Sequence, residues 1–332
     1  MRSSIEAGAG LPAKTLVMTG GTSGIGRRVV ERLLAERAEW RIVLLARESP
    51  RSDELRTLAG AQRLQIVAVD LASLDSVDRA CHDVFQRLGA SAIDGLGLNA
   101  GMQAIGGHEV SEDGYELSFA VNHLAHFAIA DRLIGRVRPG GRVVITASEV
   151  HDPDVFCLVG QRRAYWQDPA ELADARRSQR DIEAGVERGE ARYCASKLMN
   201  VMHARLLARE APHVGVVSFN PGVVAGTEIA RDRFLLMRLG WKYLMPLLEP
   251  ILPGARSLET SAGDLIHLLT EADLGAISGS YVDGRTVAPG SADSRDGSKI
   301  ARMVGVSRTL IAQAREARAD VIREPRAWAA NG

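Results

Sequence analysis

Short apolar runs alternate with longer amphipathic stretches along the chain from about residue 14 onward. TLVMT (15–19), RIVLLA (41–46), LQIVAVD (64–70), DGLGLNA (94–100), RVVITAS (142–148), VGVVSFN (214–220) and SGSYVDG (278–284) have the length and apolar content of buried strands. Between them, 24–39, 73–88, 111–137 and 193–209 repeat apolar residues every three or four positions, as helices that bury one face do. Alternating strands and helices predict parallel pairing through right-handed crossovers, with helices on both faces. The expected fold is therefore α/β: a Rossmann-type doubly wound parallel sheet of about seven strands, in a single domain over 14–332 with two insertions. Residues 1–13 lack this pattern and read as a flexible N-terminal arm. A last periodic stretch, 298–315, predicts a helix for which the pocket and the sheet edge are the candidate docking places.

Two segments break the rhythm. Residues 149–192 become strongly charged in ADARRSQRDIEAGVERGEAR, and 227–253 are apolar with several prolines. Both follow strands at their C-terminal ends, where open α/β sheets bind ligands, so they are expected to form a substrate lid; surface elaboration or an oligomer contact is the alternative. FLLMRLGWKYLMPLLEPIL (234–252) is interrupted by Arg238, Lys242, Pro246, Glu249 and Pro250, which argues against a membrane span, and it lacks the basic face of a membrane-surface helix. Its Phe234, Trp241 and Tyr243 would offer flat surfaces to a bulky apolar ligand; an ordinary amphipathic helix packed on the body is the equal alternative.

Composition narrows the function classes. The 332 residues are 46% hydrophobic, enough for a sizeable core, and 41 basic residues balance 41 acidic ones. No net field draws the chain to nucleic acid or an anionic membrane. Cys81, Cys157 and Cys194 are odd in number and lack metal-ligand spacing, which suits reduced thiols in a cytoplasmic protein. His123 and His126 share a helical face, but no third ligand is apparent, so helix packing or capping of a pocket is expected and no metal site.

The chemistry begins at TGGTSGIG (19–26), directly after a strand pattern and directly before a helix pattern. Glycines there permit a tight turn and close backbone approach, and the helix N-terminus offers unpaired N–H groups and a positive dipole end to a pyrophosphate. Gly20, Thr22, Ser23, Gly24, Ile25 and Gly26 form this predicted cradle. The second strand ends with Ala46, where an NAD-binding fold carries an acid for the ribose, and Arg47 follows; a guanidinium suits the extra phosphate of NADP(H). The alternative leaves Arg47 in solvent and gives the ribose to Glu48.

TGxxxGIG, the DL pair at Asp70–Leu71, NAG at Asn99, Ala100 and Gly101, Asn122 in VNHLAHF, Ser148 at the end of the fifth strand, YCASK with Tyr193 and Lys197, and NPG at Asn220–Gly222 occur in this order. Together they resemble the short-chain dehydrogenase/reductase family from Thr19 to Gly222. DLASLDSV, NHLAHF and YCASKLMN are similar in particular to the branch holding retinol dehydrogenases, WW-domain oxidoreductases and light-dependent protochlorophyllide reductases. The resemblance implies that Asp70 and Leu71 meet the adenine, that Lys197 holds the nicotinamide ribose, and that Pro221, Gly222, Val223 and Thr227 lie near the nicotinamide. Thr227 stands one residue later than is common. Tyr193 and Lys197, four apart on a helix, share one face, and a neighbouring ammonium favours the phenolate. Tyr193 is thus the expected proton donor or acceptor, Ser148 the hydrogen-bond partner of the substrate oxygen, and Asn122 the holder of a water linking Lys197 to solvent. Cys194 must point about 100° away from Tyr193. The implied activity is an NADP(H)-dependent ketoreductase or alcohol dehydrogenase on a bulky hydrophobic molecule. Reduction of a C=C bond and a non-catalytic nucleotide-binding regulator are the alternatives. Family members often pair through helices near the fourth and fifth strands, so a homo-oligomer is open to this chain unless its insertions or tail block that contact.

Overall fold

The computed structural model describes residues 13–58, 63–104, 109–155, 166–174, 176, 187–224 and 254–323. Their strands are β1 (Lys14–Thr19), β2 (Trp40–Ala46), β3 (Leu64–Ala68), β4 (Ile93–Leu98), β5 (Val137–Thr146), β6 (Gly215–Asn220), β7 (Val223–Val224), β8 (Ala255–Arg256), β9 (Tyr281–Asp283) and β10 (Thr286–Ala288). Eight of these form one sheet in the order β3-β2-β1-β4-β5-β6-β9-β10, while β7 pairs with β8 alone. All pairings in the large sheet are parallel except β9 with β10, an antiparallel edge hairpin whose β10 is an eighth strand beyond the seven expected from the sequence. From β1 the chain steps outward to β2 and β3, then returns to place β4 on the other side of β1. That reversal opens a crevice at the carboxyl ends of β1 and β4, the place where doubly wound sheets bind ligands.

Strand side chains alternate between two cores, as the pleat requires. Leu16 and Met18 of β1 join Ile42 and Leu44 in a core covered by α1 (Gly24–Glu36), α2 (Pro50–Leu58) and a later helix, Leu258–Thr270. Val17, Val43 and Leu45 face the opposite core, against α3 (Leu74–Leu88) and the helices that follow it. Each fully buried Val or Leu in these layers contributes roughly 1.5–3 kcal/mol.

Several boundaries differ from the pattern-based expectation, each for a physical reason. Helix α1 stops at Glu36, and Arg37 donates its N–H to the Leu33 carbonyl as the chain turns into β2. The predicted helix 111–137 begins only at α4 (Leu117–Phe119), where the Glu116 carboxylate accepts the N–H groups of Ser118 and Phe119. It then passes through a π-helical turn, Ala120–Leu124, into α5 (Ala125–Leu133), and a 3₁₀ turn leads to Val137, which already belongs to β5. After α6 (Pro169–Leu172), the helix predicted over 193–209 is α7 (Glu187–Glu210), so the end of the first predicted insertion is helical. Helix α8 (Leu258–Thr270) had no counterpart in the pattern, and the terminal helix α9 spans Gly297–Arg323. Strands β3, β4 and β5 end at Ala68, Leu98 and Thr146, so Asp70, Asn99, Ala100 and Ser148 stand just past strand ends, and β9 is shorter than 278–284.

Helix α9 lies on the helical layer and not on the sheet edge. The Tyr115 hydroxyl donates to the Leu310 carbonyl at 2.9 Å, and Arg315 pairs with Asp78 of α3 at 2.8 Å. Among the described residues no helix is long and apolar enough to cross a membrane.

Candidate active site

The glycine turn is closed on itself. A Cβ at Gly26 would stand 2.0 Å from the Gly20 carbonyl oxygen, so only glycine fits, and Gly20 takes a φ of 71°. The first turn of α1 contains no acidic residue, and its N-cap, Ser23, is extended with no capping side-chain bond. The N–H groups of the first turn of α1 are therefore left without a capping side chain or a competing carboxylate, which fits a diphosphate. Behind the turn, the Thr19 hydroxyl oxygen accepts the N–H groups of Asn99 and Ala100 at 3.0 and 3.1 Å, and Asn99 Nδ2 donates to the Gly20 carbonyl at 3.2 Å.

Beyond β2 and β3 lies a cleft of about 710 Å³ lined in part by Arg47, Glu48, Asp70, Ser76, Arg79 and His82. Ala46 is buried, whereas Arg47 is exposed and has no carboxylate partner among the described residues. Glu48 lines the same cleft, so the geometry brings both sequence candidates there. Asp70 is held in place by its own turn: it donates its N–H to Ser76 Oγ, and its carboxylate accepts the Ala72 N–H, both at 2.9 Å; half-buried Leu71 follows it. Arg79 and His82 were missed by the sequence reading. Their signal was their three-residue spacing on the helix after Asp70; Arg79 pairs with Asp75.

The second half of the site gathers at the ends of β4 and β5. Tyr193 and Lys197 are both buried on α7, and Lys197 Nζ donates to the Thr146 carbonyl at 3.1 Å. The ammonium lies 5.6 Å from the centre of the Tyr193 ring. A Cβ at Gly101 would meet Nζ at 3.2 Å, so this glycine keeps room for the lysine. Burial pushes the Lys197 pKa down to about 8. Asn122, in the π turn, donates Nδ2 to the Met102 carbonyl at 2.8 Å and to Ser196 Oγ at 3.0 Å, while its Oδ1 accepts the Met102 N–H at 2.8 Å. Ser196 in turn donates to the Tyr193 carbonyl at 2.7 Å. Ser148 follows β5 in extended conformation; its carbonyl meets His151 Nδ1 at 2.7 Å, and no described residue takes its hydroxyl. Val150, two residues on, packs with Tyr193 and Cys194, which brings the serine turn against the tyrosine helix.

Asn220 ties down the third wall. Its Oδ1 accepts the N–H groups of Glu149 and Gly222 at 3.2 and 3.1 Å, and its Nδ2 donates to Asp283 at 2.8 Å. The Pro221 carbonyl accepts the Ser261 hydroxyl at 2.7 Å, Gly222 has a φ of 74°, and Val223 pairs with Ala255. Thr227, Phe234, Trp241, Tyr243 and Cys157 lie outside the described residues, as does all of 227–253. His123 is buried and bonds Ser307 of α9 at 2.9 Å.

A sequence model described as short chain dehydrogenase matches residues 14–157. The short-chain dehydrogenase iccH of Talaromyces variabilis is 27% identical over 339 residues, covering 86% of this chain and 92% of its own. Retinol dehydrogenase 13 of Homo sapiens is 27% identical over 317 residues, covering 90% of this chain and 86% of its own. The chain belongs to the short-chain dehydrogenase/reductase family. It is accordingly an oxidoreductase that works with a nicotinamide cofactor on small-molecule substrates. The NADPH-bound carbonyl reductase from chicken fatty liver superposes with a TM-score of 0.59 at 17% identity, over 83% of this chain and 98% of that one, and at this identity the likeness concerns the fold. In this short-chain dehydrogenase the doubly wound sheet is eight strands wide, with β1, which feeds the glycine turn, next to β4 and two strands from β5.

Proposed function

We propose that this short-chain dehydrogenase/reductase uses NADP(H) to interconvert a bulky hydrophobic carbonyl compound and its alcohol. The observation that carries the reading is the approach of Tyr193 and Lys197 of α7 to the end of β5, where Lys197 bonds Thr146 and Val150 of the Ser148 turn packs on Tyr193, with Asn122 pinned to the same helix through Ser196 and to Met102. Ser148 has a hydroxyl available to hydrogen-bond the substrate oxygen and stabilise charge developing there. Tyr193 donates the proton to that oxygen in reduction and takes it back in oxidation. Lys197, held by the Thr146 carbonyl, places a cation beside the tyrosine ring and favours the phenolate that the donation leaves behind. The nicotinamide, when bound, supplies or accepts the hydride, and the residues above orient it and manage the proton. Glycines 20, 24 and 26 with Thr22, Ser23 and Ile25 would hold the diphosphate, Asp70 and Leu71 the adenine, and Pro221, Gly222 and Val223 the nicotinamide end.

The preference for NADP(H) rests on exposed Arg47, which has no carboxylate partner among the described residues, in the cleft beside Asp70, with buried Ala46 in the acid's place. A guanidinium grips a phosphate through paired hydrogen bonds. Bulk and apolarity of the substrate rest on the retinol of the human relative's name and on the apolar composition of 234–252. Titration of nicotinamide fluorescence with NADPH and NADH, in wild type and Arg47→Ala, tests the cofactor. Tighter NADPH binding that Arg47→Ala reduces at least tenfold is expected; equal binding of both nucleotides by wild type would overturn the NADP(H) assignment. Turnover of bulky ketones with NADPH, lost in Tyr193→Phe, tests the chemistry.

A further inference from the structure

His126 sits on α5, fully buried, one helical turn after Asn122. Its ring Nε2 lies 3.0 Å from the Thr19 hydroxyl, 107 residues away in sequence, and its Nδ1 lies 3.1 Å from the Asn122 carbonyl. The Thr19 oxygen already accepts two backbone N–H groups, from Asn99 and Ala100. Its lone pairs are used, so its single hydrogen must point at His126 Nε2. Nε2 is then the acceptor, and Nδ1 must carry the proton that goes to the Asn122 carbonyl. The hydrogen-bond count alone fixes a neutral ring in one tautomer. Burial and the nearby Lys197 charge act the same way and push its pKa down to about 3; the backbone bond to Asn122 opposes them and the charge of His203 adds to them.

The carbonyl that His126 meets belongs to an irregular turn. Ala125 donates its N–H to Ala120, five residues back, so the helix is π-wound at Asn122. Such bulges recur at functional sites. The bonds through His126 form one continuous path: Gly20 carbonyl, Asn99, Thr19, His126, Asn122, Ser196 and the Tyr193 carbonyl. A second path leaves Asn99 Oδ1 through the Thr146 hydroxyl at 3.1 Å, and the Thr146 carbonyl accepts from Lys197.

We propose that His126 is a positioning residue, a neutral Nδ1–H imidazole that fastens the strand beneath the cofactor cradle to the π turn carrying Asn122. Its two nitrogens do different work. Nε2 holds the Thr19 hydroxyl, and through it the turn of Asn99 and Ala100 against Gly20. Nδ1 holds the Asn122 carbonyl, and through that residue the Ser196 and Tyr193 backbone. The consequence for turnover rests on the reductase reading above, whereas the tautomer and the bonds do not.

The test uses the full chain and separates the two ends of the ring. An asparagine amide can take the place of Nδ1 but does not reach Thr19, and a glutamine oxygen can take the place of Nε2. His126→Asn is expected to weaken NADPH binding about tenfold and to keep kcat within threefold. His126→Gln is expected to keep NADPH binding within threefold, to lower kcat about tenfold, and to displace the pH profile of kcat while the ketone KM moves little. His126→Phe should lose both. Each is assayed well below its own unfolding temperature, so that a loss of stability alone leaves the kinetic split unmoved. Identical effects of Asn and Gln on binding and kcat, or none in either, would overturn the proposal. Imidazole ¹⁵N spectra of wild type, with His126 assigned from the His126→Asn difference, keep the question independent of folding of the variants and of any activity. A protonated Nδ1 and an unprotonated Nε2, unchanged between about pH 5 and about pH 9, are expected; a ring that titrates in that range, or the Nε2–H tautomer, would overturn it. If wild type neither binds NADPH nor turns over ketones while the spectra show the fixed tautomer, it is the reductase reading that falls.

Discussion

Lys197→Met should abolish turnover and, at neutral pH, make the cofactor-free protein more stable. Lys197 is only 3% exposed in the wild type, and burial pushes its pKa to about 8, against roughly 10.4 in an unfolded chain. A lysine whose folded value is depressed works against folding wherever it is protonated in the unfolded chain. Stability therefore rises with pH between about 8 and about 10, where the unfolded chain binds the proton more tightly. At pH 7 the full interval applies, and at ~1.4 kcal/mol for each tenfold change in proton affinity it amounts to about 3 kcal/mol. Methionine removes that cost at similar length. It also removes one hydrogen bond, worth about 1 kcal/mol, although the Thr146 carbonyl keeps its bond from Asn200 Nδ2 at 3.1 Å. The net gain expected is about 2 kcal/mol at pH 7, falling to about zero near pH 9.5 as the wild-type amine loses its proton. Urea unfolding of both proteins, without nucleotide, at these two pH values measures the difference. A variant less stable than wild type at pH 7, or a difference that does not change with pH, would refute the argument that Lys197 is held charged at a cost.

Gly26→Ala puts a methyl group 2.0 Å from the Gly20 carbonyl, closer than any packing allows, so the turn must open. A stability loss of about 1–3 kcal/mol by thermal unfolding and at least tenfold weaker nucleotide binding are expected, and wild-type values for both would show that the turn is not closed as described. Arg315→Ala should release α9 from α3 at a cost of about 1 kcal/mol, since the pair with Asp78 is partly exposed. Although burial opposes it, the bonds and charges of Arg315 and Arg132 hold the Asp78 carboxyl below its ordinary value. Its contribution is complete above the unfolded value of about 4 and is lost as pH falls through the lower folded value, so the stability gap between wild type and variant should close in acid. A gap that persists there would assign the effect to packing of the arginine stem.

What could be read from the sequence was local. The glycine turn announces itself because strand, turn and helix start lie within a dozen residues, and each glycine answers a steric demand that its neighbours impose. The YCASK pair is legible for the same reason: four residues apart on a helix is a distance in space. Helix α2 stayed hidden because only Ser52 and Leu55 of its nine residues are buried, too few to make a stripe. The π turn stayed hidden because AVNHL is buried throughout, so one extra residue in the winding shifts no visible boundary between apolar and polar faces. Helix α8 did have a signal in its Ser257 cap, which accepts the Thr260 N–H, but polar Ser261, Asp264 and Thr270 are buried with its apolar residues and blur the amphipathic period. His126 looked like packing because its partner Thr19 is 107 residues away, and nothing in either residue's neighbourhood in the sequence names the other.

The same distance explains why polar groups crowd this one part of the core. Three parallel strands, β1, β4 and β5, end side by side, and each end leaves backbone groups that no further strand can pair. Thr19, Asn99 and Thr146 satisfy one another across those ends, and His126, Asn122 and Ser196 extend the bonding to the tyrosine helix. Fully satisfied, such a network fixes positions more sharply than apolar packing does, because each bond constrains direction as well as distance. Lys197 is the member that departs from this balance: a buried cation that, among the described residues, donates to a neutral carbonyl shared with Asn200. A fold selected for stability alone would place an apolar side chain there, so under the proposed reduction this buried ammonium is the cost that stability yields to chemistry.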